Sequence, residues 1–478
     1  MRLPTLGVGI VYAPGLEPLL EAGRELVPVL EIEPQTLWFD SPAAPGRYRL
    51  RSAALDEIAR LPQTKLIHGV GFPLGGSRAP DERSLPLLRT MIDRFAAPWT
   101  SEHLSFNEAD GPDGPFRTGF MLPPRQSPAG AATAAATVRG VARRLSVPLA
   151  IETGVNYLRP RRDEMPDGSF AAEVAEQADC GLLLDLHNIY VNERNGRQPV
   201  HEFVRQLPLE RVWEMHVAGG VELDGYLLDA HSGEVPEALM ALAHEIVPML
   251  PNLRALTFEL MPDHVEQMGL DAIHDQLVAL RHVWERRGTR RPAPAPAPPL
   301  ARRLANRDAA APGPSPAAWE AALGAQAIGR PASDALSREL AGDPGVAILR
   351  TLVGQVRAGM VADGLLLSTR LLALTVGAVE LRSLLEDFWS TTAPQLFGAR
   401  EAVAFADYIL ERRLDIPYLD DVLAFERALV RATVSDESAV VRFRHEPAPL
   451  LDALHEGRLP GPLASGAYDV SVVVEQAA

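Results

Sequence analysis

Between Leu6 and Leu260 the chain repeats one design, a short apolar run followed by a helical pattern. In seven of eight repeats the run stops at a carboxylate, a histidine or both. The runs are Leu6–Ile10, Leu30–Glu33, Leu66–Gly71, Thr100–Ser105, Leu149–Gly154, Gly181–Asn188, Val212–Gly219 and Ala255–Leu260. The intervals hold helical patterns such as Ser84–Phe95, Ala131–Leu145, Ala171–Gln177 and Pro236–Val247. Runs without polar alternation predict strands buried on both faces, and strands alternating with helices predict βαβ units and a parallel sheet. Eight units favour a closed (β/α)8 TIM barrel over an open doubly wound sheet. No glycine-rich phosphate loop follows the first run, which argues against dinucleotide binding.

A barrel of this kind gathers the C-terminal ends of its strands at one mouth. Here the ends carry Glu31 and Glu33, then His68, then Glu102 and His103, then Glu152 with Asn156 close behind. The sixth run ends in Asp185, His187 and Asn188, and the seventh carries Glu214 and His216. Asp229 and His231 follow in the next loop, and Glu259 closes the eighth run. Any one such group is explained by a histidine bonded to a carbonyl; the whole ring is not. Clustered carboxylates repel and take up protons unless a cation neutralises them, and Lys and Arg are nearly absent from these ends. Metal ions are the expected counter-charge. Imidazole and carboxylate donors without thiolate suit iron, manganese or zinc, and bridging carboxylates suit a site with more than one ion.

Other features carry less. Gly69–Gly76 lacks the Lys-Ser/Thr of a P-loop and predicts a flexible lip of the mouth. His201, His244, His264, His274 and His282 fall in helical or loop stretches and read as solvated or capping groups. Ser101 has no Ser-His-Asp context. Cys180, the single cysteine, excludes an internal disulfide and reads as a small core residue.

Residues 287–316 are rich in alternating Pro and Ala, which favour an extended spacer, and mark a domain boundary. The expected organisation is a catalytic barrel over 1–286, this linker, and a helical domain over 317–478. Helices are expected at Pro316–Gly324, Val346–Met360, Ser368–Trp389, Arg400–Arg413 and Tyr418–Thr433, with β runs at Ala439–Phe443 and Tyr468–Val474. A net charge of −16 excludes a nucleic-acid footprint and an anionic membrane surface. No signal peptide is visible, and Leu365–Leu385 carries Arg370, Glu380 and Arg382, so no membrane span and a cytoplasmic location are expected. The oligomeric state, including a homo-oligomer, stays open.

Six stretches in order resemble one family: Leu-Ile-His68-Gly-Val-Gly-Phe, Ser-Glu102-His103-Leu-Ser, Ile-Glu152-Thr, Leu-Leu-Asp185-Leu-His-Asn188, Glu-Met-His216-Val-Ala-Gly and Asp229-Ala-His231-Ser. It is the multinuclear non-haem iron-dependent oxidative enzyme family (MbnB-like). The resemblance implies a TIM barrel with two or three irons (Fe2+/Fe3+) and dioxygen as co-substrate. It implies a ribosomally made precursor peptide as partner, modified at a residue that is often cysteine. The ligand set it implies is His68, His103, Glu152, Asp185, His216, Asp229, His231 and Glu259; Asn188 is expected to join these ligands, and Asp185, His187 and Glu259 are the expected catalytic residues. The chain departs from the pattern at His187, where the family has Asn, and at Gln35-Thr36, where it has Glu-Asn. The end of the eighth run, Glu259-Leu-Met-Pro-Asp, differs from the family's Glu-Trp-Asp. Ile416–Glu426 resembles a stretch of the MbnC-type partner proteins that bind the peptide leader. The alternatives are another TIM-barrel metalloenzyme, such as a sugar isomerase or phosphodiesterase, and a metal-binding scaffold without turnover.

Overall fold

Each of the eight apolar runs forms a strand, and the strands close on themselves. A computed structural model describes residues 3–41, 48–288, 313–435 and 438–473. The strands are β1 (Gly7–Val11), β2 (Val29–Ile32), β3 (Thr64–Gly69), β4 (Thr100–His103), β5 (Leu149–Glu152), β6 (Gly181–Asp185), β7 (Val212–Ala218) and β8 (Ala255–Glu259). Neighbours pair in parallel all the way round, and β8 meets β1 from Gly7↔Ala255 to Ile10↔Phe258. Leu182, Leu183 and Leu184 are all fully buried, because successive side chains face the lumen and the helical jacket in turn. Burial of each such leucine stabilises the fold by ~1.5–3 kcal/mol.

The sixth run departs from expectation at its end. β6 stops at Asp185, and His187 and Asn188 lie in the first turn of helix α1 (Leu186–Arg194). Asp185 caps that helix by accepting the backbone N–H of Asn188 at 2.8 Å. A side chain that satisfies an orphan helix donor stops the strand earlier than its apolar pattern suggests. The glycine run after β3 is pinned and is no loose lip. Leu74 and Gly75 donate backbone N–H groups to His103 O and Ser105 O, both at 2.8 Å. A Cβ at Gly76 would lie 2.9 Å from that of Phe106.

Three hairpins decorate the barrel without being foreseen: Trp38–Asp40 with Tyr48–Leu50, Phe106–Gly111 with Gly114–Leu122, and Val221–Leu223 with Tyr226–Leu228. The last turns on Asp224-Gly225, both at positive φ (50° and 80°), the two-residue turn that an Asp-Gly pair favours.

Beyond the barrel the chain is helical, with a terminal hairpin of Ala439–His445 and Ser465–Val472. The Pro/Ala-rich linker falls mostly on residues 289–312, outside the described residues, as does the end of the run expected to reach Val474. The helix expected over Ser368–Trp389 is two, Leu366–Val376 and Ala378–Thr391, divided by Gly377 at φ 87°. The helices divide between two cores. Phe388, Phe405, Leu423, Phe443 and Val472 belong to a core of the C-terminal region. Helix α2 (Pro316–Ala327) and helix α3 (Pro344–Gly364) instead share a core with the 106–122 hairpin of the barrel, through Trp319, Leu323, Val346, Leu349, Phe106 and Phe116. α3 is long and apolar enough to cross a membrane by length and composition, but Val346, Leu349 and Val353 are buried in this core.

Trp319 anchors the contact. It is fully buried, its indole N–H donates to Pro123 O at 3.1 Å, and the Arg125 guanidinium lies 5.2 Å from its ring. Beside it Ser77 N–H donates to both carboxylate oxygens of Glu320, at 2.9 and 3.0 Å. Trp319→Ala should cost about 3–5 kcal/mol, measured as a shift of the denaturant midpoint in the full chain. A change under about 1 kcal/mol would show that α2 is not a structural part of the barrel.

Candidate metal centre

At the C-terminal rim, three groups of possible metal donors adjoin one another. His68, His103 and Glu152 form the first, Glu152, Asp185 and His216 the second, and Asp185, His231 and Glu259 the third. Within each group one donor atom per residue lies within 4.8 Å of the others. Glu152 and Asp185 each belong to two groups, so three positions form one chain. A fourth grouping joins Glu31, His216 and Glu259.

The strands aim these side chains and their neighbours hold them. His68 Nε2 and His103 Nε2 each lie 3.0 Å from Glu152 Oε2. Behind them His68 Nδ1 shares a hydrogen bond with Ser101 Oγ, and His103 Nδ1 donates to Gly69 O, both at 2.9 Å. A carbonyl only accepts, so His103 carries its proton on Nδ1 and, when neutral, turns the Nε2 lone pair toward Glu152. His216 Nδ1 lies 3.0 Å from Glu259 Oε1, and its Nε2 lies 3.0 Å from Glu31 Oε2. His231 Nε2 lies 2.8 Å from Asp229 Oδ1 and 3.4 Å from Glu259 Oε2. His231 adopts φ 46°, a left-handed conformation that surroundings must enforce, and such strain gathers at functional sites.

The electrostatics are those of a site that wants cations. Among the described residues, the ion-pair partners of Glu31, Glu152, Asp229 and Glu259 are all imidazoles. Burial and the charges of Glu259, Glu152 and Asp229 push Asp185 well above the carboxylate range. Burial opposes charge on His103, but Glu152 and Glu102 outweigh it and raise the imidazole to about 10. Burial likewise opposes charge on Glu152, yet His103 and His68 bring it down to about 2. His216 and His231 are held well above the usual imidazole range, because neighbouring carboxylates override burial. Protons on imidazoles and on Asp185 thus neutralise the cluster, and metal ions would replace them.

Uncommitted donors support the fit. Asp185 Oδ2, Asn188 Oδ1 and both nitrogens of His187 are buried without a hydrogen-bond partner. Asn188 spends its amide N–H groups on Glu152 Oε1 at 3.2 Å and Thr153 O at 3.3 Å, which leaves that oxygen free. Buried polar atoms without partners are rare enough to call for a ligand.

All nine expected ligands therefore meet at one rim, with His187 3.6 Å from Asp229. The other inventoried groups diverge. Glu33 lines a cavity of ≈ 320 Å³ that reaches His231 and Glu259, together with Tyr12, Thr36 and Met261. Glu102 turns aside toward Gly69, where a Cβ would lie 2.0 Å from its Oε2. Asn156 and Asn192 tie loop to helix, since Asn156 N–H donates to Asn192 Oδ1 at 2.8 Å. Among the five dispersed histidines, His201, His274 and His282 are exposed and His264 is half-buried. Two supports escaped notice in the sequence. Trp99, fully buried, donates its indole N–H to Glu214 Oε2 at 2.9 Å, and the Tyr157 hydroxyl accepts Asp229 N–H at 3.1 Å. An aromatic before a strand carries no signal of such a role.

Residues 9–260 match the model of a family described as the RiPP precursor modification enzymes MbnB/TglH/ChrH. A UPF0276 protein of Anaeromyxobacter sp. (strain Fw109-5) is 33% identical over 251 residues, which span 50% of this chain and 83% of that protein. One from Chromobacterium violaceum is 33% identical over 182 residues, 38% of this chain and 64% of that protein. Among solved structures, D-psicose 3-epimerase from Clostridium cellulolyticum H10 is 11% identical, covers 58% of this chain and 99% of its own, and gives a TM-score of 0.38.

Metal uptake must displace protons from these imidazoles. Because His103 keeps its proton up to about pH 10 in the metal-free protein, affinity for added metal should strengthen about tenfold per pH unit for each proton released, between pH 6 and 9. Chelator competition measures it, and a flat profile would show that the cluster is not where metal binds. Asp185→Asn should lower metal content per chain, read by elemental analysis.

Proposed function

The chain belongs to the RiPP precursor modification enzymes of the MbnB/TglH/ChrH family, and from that premise we propose that it uses iron and dioxygen to oxidise a residue, cysteine by preference, of a ribosomally synthesised precursor peptide. The observation that carries this reading is the row of three donor groups sharing Glu152 and Asp185. A shared carboxylate is what adjacent metal ions need, and a single-ion site has no use for two.

His68, His103 and Glu152 would hold one ion, and Glu152, Asp185 and His216 the next. Asp185, Asn188, Asp229, His231 and Glu259 remain for a third. Iron bound there supplies a Lewis acid for a substrate thiolate and the redox capacity to reduce dioxygen. The protein's own work is placement and proton handling. Asp185 lends Oδ1 to the helix cap and keeps Oδ2 for the centre. Glu259 reaches both His216 and His231 with its two oxygens. Burial pulls His187 below the usual imidazole range, so the ring is neutral and can accept a proton from a substrate thiol or amide beside Asp229.

Peptide reaches the centre through the cavity lined by Tyr12, Glu33, Leu260 and Met261, whose apolar wall limits water at the reacting atoms. The organisation we propose is catalyst over 1–286 and peptide receptor over 317–478. The terminal hairpin pairs Ala439–His445 with Ser465–Val472, and among the described residues no third strand joins it. Its outer edge can take a leader strand through backbone hydrogen bonds, which raises the local concentration of substrate at the mouth.

Protein loaded with ferrous iron under argon, then given air and a cysteine-bearing peptide encoded beside its gene, should change the mass of that peptide. His68→Ala should reduce the rate by more than about 100-fold. Turnover at full rate without oxygen would overturn the reading in favour of a hydrolytic or isomerising metalloenzyme.

A further inference from the structure

His216 is held between two carboxylates, each 3.0 Å from one of its ring nitrogens. Once a metal binds, one nitrogen must give up its proton and the other must keep it, and the surroundings decide which. On the Nδ1 side stands Glu259, which also reaches His231 and the mouth cavity. On the Nε2 side stands Glu31, fully buried beneath the centre.

Beside Glu31 stands Glu214, two residues before His216 on β7 and fully buried as well, with Oε1 4.0 Å from the same His216 nitrogen. Trp99 Nε1–H then donates to Glu214 Oε2 at 2.9 Å. Glu31 turns its Oε2 to His216 Nε2 from beneath the rim.

We propose that Glu31 is the positioning residue of the centre: it retains the proton on His216 Nε2, so that Nδ1, the nitrogen beside Glu259, is the one presented to metal, with Glu214, fixed by Trp99, as the next carboxylate beneath that nitrogen. The inference rests on the metal-centre reading above. An imidazole whose distal N–H is held by a carboxylate has a fixed ring angle and a more basic donor nitrogen, and losing such a partner typically weakens metal binding 10–100-fold. Among the described residues no other ion pair replaces this support, since the remaining acidic neighbour of Nε2, Glu214 Oε1, stands 4.0 Å away.

The test uses zinc alone, a diamagnetic probe, on the full chain. Zinc per chain and the dissociation constants come from chelator competition. The tautomer of His216 comes from long-range 15N–1H correlations of the zinc-loaded protein. Glu31→Ala should keep the number of ions, weaken one of them 10–100-fold and change the His216 ring pattern. Glu31→Gln, whose amide oxygen still accepts from Nε2–H, should recover much of the affinity and the tautomer. Trp99→Phe should weaken the same ion by less, and it carries the test with Glu31→Gln if the alanine variant does not fold. Loss of a whole ion in Glu31→Gln would make Glu31 a ligand and overturn the proposal. So would unchanged affinity and an unchanged tautomer in Glu31→Ala. Wild-type protein that takes up no zinc or iron would overturn the metal-centre reading itself, and this inference with it.

Discussion

Acids and imidazoles packed into a dry lumen must be neutralised, and everything at the rim of this barrel follows from that requirement. In water the carboxylates of Glu31, Glu152, Asp185, Glu214 and Glu259 would be solvated independently. Enclosed, they pull protons onto His103, His216 and His231 and force one onto Asp185. A low-dielectric interior strengthens attraction and repulsion alike. The arrangement is tolerable only while positive charge, as protons or as metal, stands among the carboxylates.

The barrel makes this possible by rigidity. Six of the donors, His68, His103, Glu152, Asp185, His216 and Glu259, lie on strands whose neighbours pair with them on both sides, so their positions are set by backbone registers such as Asp185↔His216 and His103↔Glu152. Fine adjustment falls to groups that touch no metal. Ser101 and the Gly69 carbonyl orient two imidazoles, and the helix cap divides the oxygens of Asp185 between structure and chemistry. Sites built on strands and helices in this way are more exact than sites on loops.

Much of this is legible in the sequence because the barrel uses short-range grammar. Apolar runs mark the strands within a few residues, and the polar residues that end them mark the rim, whereas the full set of expected ligands rests on the family resemblance. What stays hidden depends on contacts across the lumen or on competing local chemistry. Nothing near Glu31 says that its carboxylate meets His216, since the two stand on different strands far apart in the chain. The break between β6 and α1 falls at Asp185, short of the expected end at Asn188, because the Asp185 side chain caps the helix. The Asp224-Gly225 hairpin was readable from its turn residues alone. The split at Gly377 was readable as well, from a glycine inside a helical pattern. The core that joins Trp319 to Phe106 and Phe116 was not, because it links segments on either side of the Pro/Ala run.

That joint core changes how the chain can be divided. The segment that resembles the family ends near residue 260, yet the hairpin over 106–122 presents aromatic and aliphatic side chains whose cover comes from α2 and α3. A fragment trimmed to the recognised barrel would keep its strands and carry a sticky, half-built flank, inviting self-association in place of catalysis. The C-terminal helices are therefore less a passenger than the missing wall of the first half, and excising them would unmake more than a docking module.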